Sequence, residues 1–194
     1  MLVRSVRDLK SLSHDALDSF VAENLKHLTE DEVLAVLENP YANAKLIGTI
    51  ALNPRLTSFY SVRLRIVSHR QTPQAHAVKF VHYLYWPDLL RLSVEVTIPA
   101  TTRRAVDTQL INRVHKLSLG EKISSARRCS PALIKVLVFD RDPKVFGALL
   151  NNSRLREDDL VELVRSSEAS PEQLTMIAGD RRWSSRGTPS GGLW

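Results

Sequence analysis

Apolar residues return every three or four positions along most of this chain, in short runs separated by polar turns. In EDEVLAVLEN, Val33, Leu34 and Leu37 make one stripe, with Val36 beside them. Val106, Leu110, Val114 and Leu117 make another, and LREDDLVELVRSS sets Leu160, Leu163 and Val164 behind an acidic first turn. That spacing is the period of a helix with one buried face, and early acidic residues complement the positive end of its dipole. LLRLSVEVTI, residues 89–98, is the exception, because its alternation resembles a strand. A lone strand among helices has nothing to pair with, so this segment too is expected to be helical.

Helix starts are marked with the same regularity. Thr29 with Glu32, Ser118 with Glu121 and Ser170 with Gln173 have the spacing of a capping box. There, side chain and backbone satisfy each other's hydrogen bonds at the first turn. Thr72-Pro73, Ser130-Pro131, Asp142-Pro143 and Ser170-Pro171 put a capping residue before proline. Proline is tolerated at the first helical position because no amide hydrogen is needed there. These signals divide the chain into about a dozen short helices of roughly 9–17 residues.

The stretch KLIGTIALNPRL, residues 45–56, recurs as KVFGALLNNSRL, residues 144–155, with Lys, Gly, Asn, Arg and the final Leu in register. SPALIKVLVFDRD, starting at Ser130, aligns with SPEQLTMIAGDRR, starting at Ser170. The unit is a capped start, an apolar helix, a turn rich in Asn or Asp, and a second apolar helix. One such pair cannot bury its hydrophobic face alone, whereas several stacked pairs build a continuous core. An all-α fold, a short α-solenoid, is therefore expected as one domain over residues 1–183.

DRDPKVFGALLNNSRLREDDLVELV resembles the leucine-rich repeat variant, a relative of HEAT repeats. Units of that family carry Asp, then Val, Ala or Leu, then Asn, then Leu at similar spacing, and ALNPRL shows the same turn. The resemblance spans residues 28–182 and is specific at those two places. It implies a right-handed superhelical stack of HEAT-like helix pairs and fixes no ligand, because such repeats serve many roles. By the repeat offset DRRW should open a further helix, yet the chain runs into the Ser-, Gly- and Pro-rich SSRGTPSGGLW. Residues 184–194 are expected to be a flexible tail. Lacking a polar cap, the last pair would leave an apolar face for a second copy, another protein or a missing part of a longer chain.

Composition sets the outer bounds. At 194 residues, with 43% hydrophobic and 25% charged residues, the chain has ordinary globular content and enough length for a sizeable core. The single cysteine, Cys129, excludes an intramolecular disulfide and any multi-cysteine metal site. MLVRSVRDLKSLS lacks the apolar core of a signal peptide, and no apolar run is long enough to span a membrane. A cytoplasmic protein that engages no membrane is the expectation.

The formal charge of +6 is unevenly spread. Residues 1–40 carry 4 basic and 8 acidic side chains, residues 41–137 carry 15 and 4, and residues 138–194 carry 8 and 9. A basic middle between acidic flanks points to a positive surface for an acidic partner. The candidate contact residues are Arg63, Arg65, Arg70, Lys79, Arg91, Arg103, Arg104, Arg113, Lys116, Arg127 and Arg128. Interleaved acidic residues would be expected if the charge served solubility alone, although a solvated helix face is the plainer account. The TTRR and ARR pairs lie near expected helix termini, where backbone amides could add to anion binding.

Other constellations have plainer readings. Cys129 sits beside two arginines that would favour its thiolate, yet a free cysteine near a helix end is usually a small core residue. His69, His76 and His82 are poorly spaced for a shared metal, and HExxH is absent. His76, Lys79 and Tyr83 share a helical face, with Ala77, Val81 and Leu84 on the opposite, buried one. Trp86 and Asp88, with Arg91 a turn later, invite comparison with HEAT-like alkylpurine DNA glycosylases, but WPD is also an ordinary helix start. Neither a Gly-rich phosphate loop, a paired-carboxylate signature nor a nucleophile elbow appears. The expectation is a non-enzymatic interaction scaffold, without metal or cofactor, binding an acidic protein through a basic, curved face. A sequence-independent DNA- or RNA-binding solenoid is the alternative, and a glycosylase-type enzyme a distant third.

Overall fold

The computed structural model describes residues 6–184, so nearly all of the segment expected as a tail, residues 184–194, lies outside the described residues. All regular structure among the described residues is helical, with no strand. Residue contacts group the chain into two compact units, Met1–Gln109 and Leu110–Trp194, where the sequence pattern leads one to expect a single domain.

The first unit runs α1 (Val6–Leu9), α2 (His14–Asn24), α3 (Glu30–Glu38), α4 (Ala44–Ala51), α5 (Tyr60–Ser68), α6 (Gln74–Val81) and α7 (Trp86–Ser93). Helix α8 (Ala100–Arg113) crosses the division. The second unit continues with α9 (Leu119–Ala126), α10 (Pro131–Leu137), α11 (Pro143–Leu150), α12 (Glu157–Arg165), α13 (Pro171–Gly179) and α14 (Arg181–Ser184). Most helices have seven to nine residues, shorter than expected, and after α4, α10 and α11 the side chains of Asn53, Asp140 and Asn152 turn the chain by accepting from a backbone amide two residues on.

The local signals act as read. Capping boxes form at Thr29 with Glu32, Ser118 with Glu121, and Ser170 with Gln173. Ser130 and Asp142 cap α10 and α11, each with proline following. Thr72 behaves otherwise. Its buried hydroxyl donates to the Ile66 carbonyl at 2.5 Å, closing α5, and Pro73 itself takes the cap position of α6. Residues 89–98 are helical only as far as Ser93. Beyond it the Glu95 carboxylate accepts from the Thr97 amide at 3.2 Å and its hydroxyl at 2.9 Å, turning the chain and leaving Val96 80% exposed.

Alternate helices pack on one another within each unit: α1 on α3 and α3 on α5 in the first, α9 on α11 and α11 on α13 in the second. Their contact faces are the apolar stripes, including Val33, Val36 and Leu37 on α3 and Val145, Phe146 and Leu149 on α11, all fully buried. Removing such a side chain, as in Leu149→Ala, costs about 2–5 kcal/mol through lost burial and the cavity left behind.

Buried amides reinforce these contacts. Asn39 donates its side-chain amide to the carbonyls of Leu9 at 2.8 Å and Leu12 at 3.0 Å, while its oxygen accepts from the Tyr41 amide. Asn152 donates to Ala126 at 2.8 Å and Cys129 at 3.4 Å, and accepts from Arg154. Gln173 reaches Val138 and Asp140 at 3.1 Å each. In all three cases a side chain satisfies carbonyls left over at the end of an earlier helix, which intrahelical bonding cannot reach.

Candidate functional site

Seven of the candidate basic residues, Arg63 to Arg104, lie in the first unit, and Arg113, Lys116, Arg127 and Arg128 lie in the second. Within the first unit they do not form one set. Arg63 and Arg65 are two positions apart on α5, so the helix turns them to different sides.

Arg63 belongs to a cluster of tyrosines. Its guanidinium carbon lies 6.0 Å from the Tyr60 ring centre and 5.5 Å from that of Tyr83, within cation–π range of both. Tyr60 stacks on Tyr85, ring centres 4.3 Å apart and planes inclined by 26°. The Tyr60 hydroxyl donates to Asp88 at 2.5 Å and accepts from the Tyr85 amide at 3.1 Å. Arg91 sits 3.5 Å from the other Asp88 oxygen. Lys79, one helical turn before Tyr83, rests over the Phe80 ring.

Local sequence explains the presentation. Tyr60 opens α5, and Tyr85 precedes α7, whose first turn carries Asp88 where the helix dipole favours a carboxylate. Between α6 and α7 the chain reads His-Tyr-Leu-Tyr, and Leu84 is buried while Tyr83 and Tyr85 remain 56% and 63% exposed. Burial, followed by the bond to Asp88, pushes the Tyr60 phenol up to about 12, so it remains a neutral donor at physiological pH. The Arg63 Nε is out of solvent without a hydrogen-bond partner, while its Nη2 donates to the Ser58 carbonyl at 3.4 Å.

Arg65 and Arg70 line a different concavity, about 280 Å³, together with Glu38, Asn39, His69 and Thr97. It lies where α3 and α5 end, and helix ends carry partial negative charge on their free carbonyls. Cations there offset the dipoles, which makes the concavity a poor receptor for an anion. Burial, reinforced by the Arg65 and Arg70 charges, holds the His69 imidazole below its usual range. A hydrogen bond from Lys10, with the charges of Lys10 and Arg65, holds the Glu38 carboxyl low against its partial desolvation.

Arg103 ends the first turn of α8 and Arg104 opens the second, and the Arg103 amide is already bonded to the Pro99 carbonyl at 3.1 Å. The ARR pair sits at the opposite kind of end: Arg127 is the C-terminal cap of α9, where carbonyls rather than amides are free. Arg113 closes α8, and Lys116 ends a 3-10 turn, Val114–Lys116.

Cys129 is fully buried, with its sulfur 3.8 Å from the Ala126 carbonyl and 3.5 Å from the Asn152 amide. Ala77, Val81 and Leu84 are core, whereas Lys79 and Tyr83 face solvent and His76 is half-buried. Among the described residues no group of three His, Cys, Asp or Glu is placed to hold a metal ion. Trp86 is packed in the core of the first unit at 8% exposure, and Asp88 is engaged by Tyr60 and Arg91. Among the described residues no helix is long and apolar enough to cross a membrane.

Sequence reasoning singled out Arg63, Lys79, Tyr83, Asp88 and Arg91 but missed Tyr60 and Tyr85. The signal was the aromatic density of HYLYWPD, with Tyr60 one helix pair earlier. Comparisons with protein-family models, curated proteins and solved structures return no match for this chain.

Proposed function

We propose that this chain is a non-enzymatic interaction scaffold, built from HEAT-like α-solenoid repeats, that binds an acidic protein partner. The observation that carries the reading is the matched pair of buried asparagines. In each unit one of them, Asn39 or Asn152, ties the end of a helix to an earlier helix terminus through two carbonyls and one amide. A recurring fastening between helix pairs supports a stacking architecture, whose use in proteins is mostly to present surface. The excess of basic over acidic side chains in residues 41–137 supports an acidic partner.

Nucleic acid is the competing anionic partner, and salt dependence separates the two. The test is fluorescence anisotropy with a labelled acidic peptide, a random duplex and a random single strand, at low and moderate salt. The Arg103→Glu/Arg104→Glu variant is run alongside. The scaffold reading expects the peptide to bind and the nucleic acids to bind weakly. Tight nucleic-acid binding with a log–log salt slope of about −5, as six phosphate contacts would give, and lost in the variant, overturns it.

A further inference from the structure

We propose that the tyrosine–arginine patch of the first unit, Tyr60, Arg63, Lys79, Tyr83, Tyr85 and Arg91, is the docking surface for an extended acidic segment of a partner protein. The inference rests on the scaffold reading above and names the surface and chemistry it uses. Three cations stand here against two carboxylates: Asp88, already taken by the Tyr60 hydroxyl and Arg91, and Glu95, which lies within reach of the Arg91 charge and is held by Thr97. The patch therefore presents net positive charge and unspent guanidinium donors. Arg63 lies within cation–π range of two aromatic rings and donates from Nη2 to the Ser58 carbonyl, so its geometry is set before a ligand arrives. A preorganised guanidinium loses less freedom on meeting a carboxylate than a free one.

The composition also fits a protein partner. Tyrosine and arginine are the side chains that most often carry binding energy at protein interfaces, since each combines apolar area with polar reach. Tyr83 and Tyr85 expose more than half of their surface, on a loop anchored by the buried Leu84. A nucleobase would instead need open ring faces. Here Tyr60 and Tyr85 already stack on each other, and Arg63 lies over Tyr60 and Tyr83. The matching ligand is a segment whose carboxylates meet Arg63, Lys79 and Arg91 and whose apolar side chains lie against Tyr83 and Tyr85.

The probe is a fluorescein-labelled peptide of about twelve residues alternating Glu with Leu and Ser, long enough at about 3.3 Å per residue to cross the patch. Two readouts on the full chain are used. Amide chemical-shift mapping on the unaltered protein should place the perturbations at residues 60–63 and 83–91. Anisotropy should show Tyr83→Ala/Tyr85→Ala weakening the peptide roughly tenfold or more, with Lys144→Glu/Arg165→Glu, exposed in the second unit and outside the basic segment, binding as the unaltered chain does. Peptide binding at undiminished affinity in the tyrosine variant, with shifts elsewhere, overturns the patch while leaving the scaffold reading intact. Absence of any peptide binding removes both. A single strand that perturbs the same amides and binds more tightly than the peptide overturns the protein assignment.

Discussion

The side-chain amide of Asn152 donates to the backbone carbonyl of Ala126 at 2.8 Å, with the asparagine entirely out of solvent. Its truncation leaves that carbonyl, the carbonyl of Cys129 and the amide of Arg154 to find new partners. An unmet buried polar group costs about 1–3 kcal/mol, so Asn152→Ala should destabilise by about 2–4 kcal/mol in urea unfolding. Asn39→Ala should cost a similar amount, because Leu9, Leu12 and Tyr41 hold the same three roles. Asn151→Ala is the control. Its exposed amide bonds only within its own helix, and about 0.5 kcal/mol or less is expected. Equal effects at Asn151 and Asn152 would sink the fastening argument.

Gln173 separates two functions in one side chain. Its oxygen completes the capping box with the Ser170 amide, and its nitrogen reaches Val138 and Asp140. Glutamate is the usual residue in a capping box, so on local grounds Gln173→Glu should be harmless. In place it removes both donations to carbonyls and puts a charge at a position 1% exposed. Gln173→Glu should therefore destabilise more than Ser170→Ala, which loses about 1 kcal/mol as a cap alone. Thermal or urea midpoints of the two variants give the order directly.

What could be read in the sequence was what neighbouring residues decide. Thr29, Ser118 and Ser170 cap helices because their partners lie three residues away. Asn39 and Asn152 were visible as letters, but their work depends on carbonyls 23 to 30 residues earlier; Asn53, which the repeat pairs with Asn152, accepts only from the local Arg55 and Leu56 amides. The division between Gln109 and Leu110 left no mark because it falls inside α8, where Val106 and Leu110 continue one stripe. Arg63 and Arg65 look like one basic run, yet helix phase sends one to the tyrosines and the other to the His69 concavity. The helix expected over residues 89–98 stops at Ser93 because Val94, Val96 and Thr97 belong to a turn held by Glu95.

The glycine shared by the two copies of the repeat answers to different neighbours. A methyl on Gly48 would meet His76 Nε2 at 3.8 Å, an ordinary contact, whereas one on Gly147 would meet the Met176 methyl at 3.1 Å. Alanine in a helix interior is favoured over glycine by about 1 kcal/mol. Gly48→Ala should thus stabilise by up to about 1 kcal/mol. Gly147→Ala should gain less, because the flexible Met176 side chain must shift first. Paired unfolding curves in urea would show the difference, and a larger gain at Gly147 would contradict the packing described.

His69 gives stability a pH dependence whose sign follows from its surroundings. Arg65, Arg70 and Glu38 line the same concavity; burial and the two arginines hold the imidazole below its ordinary value of 6.5. Between that lowered value and 6.5 the unfolded chain binds a proton that the folded chain does not, so stability must fall as pH drops through this window. His69→Gln cannot bind that proton and should flatten the loss there relative to the unaltered chain. Glu38 acts in a separate, lower window. Its carboxyl is held below the ordinary 4.5, so its contribution is present above 4.5 and disappears as pH falls through the lowered value. Lys10 supplies the leading cause at 2.5 Å, and Lys10→Ala should diminish that acid-side loss while leaving the His69 window unchanged. Urea unfolding repeated from neutral pH downward resolves the two steps. If the His69→Gln curve ran parallel to that of the unaltered chain through the upper window, the imidazole would be titrating as though fully in solvent.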